Sequence, residues 1–375
     1  MSRSSEPTPT DASRSPGGLA DRPISYLVRE LGHRLRHYAR VRRRGYPRHG
    51  SVEAAAAAAL SRRAADGFRP GSHFRGIWPR DLCFAAPGLQ ARGHGDDLCT
   101  VADWLVERFD DVFFTDVRDG YGAAVPLEGV DTFPALVILL SACDRLATHA
   151  DRLADLAALH RTKFFDERTG LVAGPGSGWW DSATAPREAY ATAMLLAALE
   201  RLESTGVETT YAGHRESIRD AWLGRLWTGS HFAERRDSAV LACDANVVPL
   251  YFGLVDDVRA RTIADALEEL ETDRGCKLRA RPFTVREVHP FFALHRDYHY
   301  HVWPWNSLAY AIGLRRHGLE KRAEREVRRV ERSVRRHGTF LELYTLEGEP
   351  YVKRGYAAAG DFTVAAALWA AYRDP

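Results

Sequence analysis

Several features that would assign a function at once are scarce or missing in this chain. Its five cysteines, Cys83, Cys99, Cys143, Cys243 and Cys276, are odd in number, widely spread and form no CxxC pair. That argues against a disulfide framework or a cysteine zinc site and suits reduced thiols in a cytoplasmic protein. A net charge of only +2 over 375 residues gives no reason to expect nucleic acid as a partner. The N-terminus has no apolar core of the kind found in signal peptides, so neither a leader nor a membrane span is expected. No period-2 run of β-branched residues marks a sheet, although short hairpins are expected in the longer loops around 113–128 and 274–290.

What is present divides into three stretches. Residues 1–23 are rich in Ser, Pro, Thr and Gly and read as a disordered tail. Residues 24–50 form a basic segment with helical spacing of Ile24, Leu27, Leu31 and Leu35, expected to pack as a solvated helix on the outside of the domain. From residue 51 to 375 two kinds of helical segment alternate, six of each. One kind is amphipathic and charged, as in DDLCTVADWLVERFDD and LEKRAEREVRRVERSVRRHG. The other is apolar nearly all round, as in DTFPALVILLSACDRLA and DFTVAAALWAAY. A helix apolar on every side belongs in an interior, and one with a single polar face belongs outside. Strict alternation therefore predicts an all-α fold, an (α/α)6 barrel with an inner ring wrapped by an outer one. An α-solenoid would show self-similar repeats of fixed length, and these units share no consensus.

Polar–aromatic motifs precede the inner helices: WPRD at 78–81, GVD at 129–131, WWDS at 179–182, CDAN at 243–246, WPWN at 303–306, and ELY at 342–344 before the last. Entrances to the inner helices open on one end of a barrel, so the motifs are expected to converge on one rim. Helix capping accounts for an Asp or Asn at such a place, Asp131 and Asp244 in particular. It does not account for tryptophans beside the acids at 78, 179, 180, 303 and 305, nine in the whole chain. Indole faces stack on the C–H faces of a pyranose, while Asp and Arg bind its hydroxyls. Cleaving a glycosidic bond needs two carboxyl groups, one protonated and one ionised.

In these motifs the chain resembles the α/α-barrel glycoside hydrolases: glucoamylases, trehalases, processing α-glucosidases and the glucosidase domain of debranching enzymes. GIWPRDLCFAAPGL is similar to the segment that grips the terminal glucose, and GSGWWDS to the Gly-Trp-Asp element carrying the general acid. HVWPWNSLAY resembles the element lining the −1 site, and FLELYTLEGEPY the Glu-x-Tyr element carrying the base. The resemblance implies an inverting, exo-acting hydrolase of an α-glucosidic bond, with Asp181 as general acid and Glu342 as general base. It implies Trp78, Arg80, Asp81, Asp131, Trp179, Trp180, Trp303, Trp305 and Tyr344 as substrate-binding residues, with Glu188 held in reserve for Asp181. Burial among tryptophans is expected to raise the pKa of Asp181 while Glu342 stays ionised in a more polar setting. No cofactor is expected. The run HRDYHYH carries His295, His299 and His301 but no HExxH or third ligand set, so no metal is expected either.

Two other classes share this barrel. A terpene cyclase would place an acid cluster on an inner helix, whereas the Asp pairs at 96–97, 110–111 and 256–257 lie at outer segments. A polysaccharide lyase would pair a tyrosine with histidine or arginine in place of two carboxylates. A sugar-binding barrel that has lost its chemistry is the remaining alternative.

Overall fold

The computed structural model describes residues 24–374, apart from 66, 119, 120, 124–126, 175, 177, 180 and 181. The tail expected over residues 1–23 lies outside the described residues. An N-terminal helix, α1 (Ile24–Arg44), precedes six helical hairpins. In chain order these are α2 (Val52–Ala65) with α3 (Pro79–Ala91), α4 (Gly95–Val106) with α5 (Thr132–Ala142), and α6 (Ala150–Phe164) with α7 (Glu188–Thr205). The other three are α8 (Arg215–Leu226) with α9 (Cys243–Phe252), α10 (Asp257–Leu267) with α11 (Pro304–Arg316), and α12 (Glu320–His337) with α13 (Thr363–Arg373).

The odd-numbered helices from α3 onward form a closed ring, each packed on the next, with α13 returning to α3. The even-numbered helices wrap it. Composition explains the sorting. Every residue of α5 from Thr132 to Leu140 is buried, as is every residue of α13 from Thr363 to Ala370. The outer helix α12 buries only the stripe formed by Ala323, Glu326, Val327, Val330, Glu331, Ser333 and Val334, whose three- and four-residue steps mark one helical face. The fold is the expected (α/α)6 barrel.

Ring closure depends on small residues. A Cβ on Gly88 of α3 would fall on the backbone carbonyl of Ala367 in α13, and one on Gly313 of α11 would meet the Leu250–Tyr251 backbone of α9. The apolar helices can approach to backbone contact only where no side chain intervenes.

Short antiparallel hairpins decorate the loops: β1 (Asp116–Arg118) with β2 (Tyr121–Ala123), β3 (Phe165–Asp166) with β4 (Leu171–Val172), β5 (Glu271–Thr272) with β6 (Gly275–Cys276), and β7 (Val352–Lys353) with β8 (Tyr356–Ala357). The first falls in the loop expected to hold one, and the third at the start of the other. Helix α1 packs on β8. His37 and Val41 supply its buried face, with His37 Nε2 3.3 Å from the Ala358 carbonyl. The apolar stripe expected to pack it is not buried at Leu31 and Leu35, which are 60% and 46% exposed. They lie instead over the mouth of a cavity. Among the described residues no helix is long and apolar enough to cross a membrane.

Replacing Gly88 by alanine should destabilise the protein by about 1–3 kcal/mol or more, because the clash is with backbone and no rotamer relieves it. Urea denaturation of Gly88→Ala measures this. An unchanged midpoint would show that the ring tolerates a wider seam.

Candidate active site

The entrances to α3 and α11 are built alike. Trp78 and Trp303 each occupy the N-cap position in extended conformation, with Pro79 and Pro304 following at the first helical position, where a missing N–H costs nothing. Each entrance is stitched to a neighbouring segment by a two-residue antiparallel bridge. Ile77 exchanges backbone hydrogen bonds with Val117 at 2.8 and 3.0 Å, and Val302 with Tyr344 at 3.1 and 2.9 Å. Leu341 bridges Gly360, and the Glu342 amide donates to the Ala359 carbonyl at 2.9 Å. The segment ahead of the first inner helix is tied to the one that leads into the last by the Ser72 amide, which donates to the Gly360 carbonyl at 3.1 Å, and by the Thr363 amide, which donates to the Pro70 carbonyl at 2.8 Å.

A cavity of about 300 Å³ opens there, at the small end of the range for ligand pockets. Its walls include Trp78, Arg80, Asp81, Trp179, Trp303, Trp305 and Glu342. Trp179 and Trp305 stack at 4.3 Å with planes 18° apart, and each meets Phe84 in a T-shaped contact. Both indoles are 2% exposed, and neither Nε1 has a partner among the described residues. A buried donor without an acceptor costs free energy unless something arrives to accept. Arg80 is held from three sides: Nε is 3.1 Å from Asp81 Oδ1, Nη1 donates to the Gly178 carbonyl, and Asp131 Oδ2 lies 3.9 Å away.

Glu342 has no exposed surface. Its Oε1 accepts from the Tyr298 hydroxyl, the Tyr356 hydroxyl lies 2.8 Å from both oxygens, and the Ala359 amide donates to Oε2 at 2.8 Å. Among the described residues no arginine or lysine forms an ion pair with it. Burial outweighs the hydrogen bonds and pushes its carboxyl up to about 7. This corrects the expectation that Glu342 would sit ionised in a polar setting: its donors are neutral phenols and an amide. Burial also drives His299 well below its ordinary range, so the imidazole facing the cavity is neutral.

Several expected residues do not line the cavity. Asp131 stands behind Arg80 and accepts from the Tyr190 hydroxyl; it makes no side-chain cap to α5. Asp244 is likewise no cap, being bound by both Nε and Nη2 of Arg187 at 2.8 and 2.7 Å. Glu188 opens α7 and is taken up by Arg236, whose amide and guanidinium donate to it at 2.8–3.2 Å. Tyr344 turns away, its hydroxyl 3.4 Å from the Thr339 carbonyl and its ring 5.3 Å from His337. Trp180 and Asp181 lie outside the described residues. Conversely, Tyr298, Tyr356, Asp116 and Arg34 line the cavity, and none was singled out from the sequence. His295 and His299 of the histidine-rich run also line it, while His301 does not. Among the described residues no group of three or more potential ligands could hold a metal ion.

Comparison with solved structures gives the same architecture. An alanine-for-glutamate variant of a glycosidase aligns over 94% of this chain and 98% of its own, with a TM-score of 0.63 at 16% identity. The GH63 mannosylglycerate hydrolase from Thermus thermophilus, in complex with Tris, aligns over 86% of this chain and all of its own, at TM-score 0.62 and 17% identity. A rhamnosidase from Klebsiella oxytoca with rhamnose bound aligns over 84% of this chain and 62% of its own, at TM-score 0.62 and 15% identity. Direct sequence comparison with curated proteins finds no match. The three solved structures share their six-hairpin (α/α)6 fold with this chain. More narrowly, residues 183–357, just under half of the chain, match the model of the mannosylglycerate hydrolase MGH1-like glycoside hydrolase domain.

The raised carboxyl of Glu342 has a consequence for stability. Between its ordinary value of 4.5 and about 7, the folded protein keeps a proton that the unfolded chain has released. Stability contributed by this group therefore falls as pH rises through that window and levels off above it. Glu342→Gln carries no such charge, so its melting temperature relative to the parent should climb from pH 5 to pH 8. A pH-independent difference would mean that the carboxyl is not perturbed.

Proposed function

We propose that the chain is an inverting, exo-acting glycoside hydrolase. In this reading residues 51–375 are the catalytic domain, Asp181 protonates the departing oxygen, and Glu342 takes the proton of the attacking water. The observation that carries it is a buried carboxyl near neutrality, at the end of a cavity that also presents Arg80, Asp81 and tryptophan walls. Perturbed acids in a cleft are where proton transfer is found. The two unpartnered indole N–H groups suit the acceptor oxygens of a sugar. Asp181 is two residues from Trp179, which lines the same cavity.

The substrate we propose is a small α-glycoside, an α-glucoside or a close hexose analogue, whose leaving group bears a carboxylate. The acids lining the cavity, Asp81, Asp116 and Glu342, are all buried. Its outer wall carries Arg34 of α1 and Arg354 among the exposed Leu31, Leu35 and Leu294. That distribution favours a neutral sugar inside and an anion at the mouth. In keeping with it, structures of the Thermus mannosylglycerate hydrolase have been solved with glucose and with Tris and D-glycerate.

Proton NMR of fresh product from α-glucosylglycerate, α-mannosylglycerate, trehalose, maltose and isomaltose tests the reading. The expected result is initial release of the β-anomer, with the glycerate-bearing members turned over most efficiently. Because the base must be ionised, kcat/KM should fall on the acid side of about pH 7. Asp181→Asn and Glu342→Gln should each lose nearly all turnover while retaining sugar binding. Release of the α-anomer would overturn the mechanism, and inactivity on every member would favour the binding-only barrel.

A further inference from the structure

The candidate base lines the cavity but exposes no surface to it. Glu342 is 0% exposed, while Tyr298 and Tyr356, whose hydroxyls occupy its oxygens, are partly exposed and line the cavity. A water in the cavity therefore meets a phenol before it meets the carboxylate. The two phenols are not equivalent. The Tyr356 oxygen is crowded, lying 2.8 Å from both carboxylate oxygens, 3.2 Å from the Tyr298 oxygen and 3.3 Å from His73 Nε2. Among the described residues the Tyr298 oxygen touches only Glu342 and Tyr356, which leaves it able to accept from a water. Its ring is fixed edge-on to Trp303 at 5.0 Å and to Tyr356 at 5.5 Å, and Trp303 Nε1 donates to its carbonyl at 3.2 Å.

We propose that Tyr298 is a catalytic residue, a proton relay between the attacking water and Glu342, with Tyr356 as a positioning residue; this rests on Glu342 being the base. In the step, the water oxygen bonds to the anomeric carbon as the glycosidic bond breaks and its electron pair leaves with the aglycone. The water's proton passes to the Tyr298 oxygen while the Tyr298 hydroxyl proton passes to Glu342 Oε1. The phenol is regenerated, Glu342 ends protonated and later returns the proton to solvent, and no tyrosinate forms. Burial and the neighbouring carboxylate hold the Tyr298 hydroxyl well above its ordinary range, so it stays a donor throughout.

The test uses single-turnover hydrolysis of α-D-glucosyl fluoride, whose leaving group needs no general acid, so the only protons in flight are those that activate the water: its own and, in the relay, that of the Tyr298 hydroxyl. In mixtures of light and heavy water the parent rate should curve downward in the manner of two moving protons. Tyr298→Phe should slow the step by about 10²–10⁴-fold with binding little changed, as expected for loss of a proton-transfer group. Tyr356→Phe should cost far less. A linear isotope dependence in the parent, or a Tyr298→Phe rate near the parent's beside an inactive Glu342→Gln, overturns the relay alone. Full activity of Glu342→Gln, or no hydrolysis of the fluoride by the parent, overturns the reading beneath it.

Discussion

Contact between α3 and α13 is the constraint on which the rest of the site depends. These are the first and last inner helices, and they meet at backbone distance because Gly88 presents no side chain to Ala367. The meeting closes the ring. It also sets the entrance of α3, with Trp78, Arg80 and Asp81, against the segment carrying Glu342 and Tyr356 just ahead of α13. Residues that would be strangers in an open solenoid thereby share one cavity. The inner helices can do this only because they are apolar on every side and end, at the rim, in residues with polar side chains.

Within that frame, two buried glutamates show how surroundings decide a role. Glu234 and Glu342 are both 0% exposed. Glu234 is gripped by Arg187 and Arg279, the latter in bidentate fashion at 2.8 and 2.9 Å, and its carboxyl is held down at about 2. It is a fixed anion in a structural network that also takes in Asp244 and Glu287. Glu342 receives three neutral donors and, among the described residues, no ion-paired cation; Arg34 lowers it only weakly, and burial raises its carboxyl to about 7. Burial pushes both carboxyls up; at Glu234 two guanidiniums more than offset it, and at Glu342 the neutral donors do not. A group balanced near neutrality can accept and release a proton, whereas a group locked by two guanidiniums cannot.

The ring architecture was legible in the sequence because burial on all sides leaves a compositional trace in every inner helix. So were the tryptophan walls, Arg80, Asp81 and Glu342, since each sits in a motif at a helix entrance. What was not legible comes from side chains whose role is set across the barrel. Glu188 has the sequence setting of a site acid, but Arg236, almost fifty residues on, takes it up. Tyr344 follows Glu342 by two positions, yet its hydroxyl is claimed by Thr339. The two phenols on Glu342 come from a single turn in the histidine-rich run and from a two-residue strand, and neither carries a periodic signal. The histidine run did mark the place, since His295 and His299 face the cavity. The helical spacing on α1 was legible, but not that Leu31 and Leu35 would stand exposed beside the cavity.

The central claim is that a carboxyl enclosed by phenols, with no ion-paired cation among the described residues, titrates near neutrality in this cavity. Carbon-13 NMR of the glutamate side-chain carboxyls, with the Glu342 signal assigned by its loss in Glu342→Gln, measures that directly. The account predicts a midpoint near pH 7 for this one resonance. A midpoint near the ordinary value of 4.5 would contradict it, whatever the barrel is found to hydrolyse.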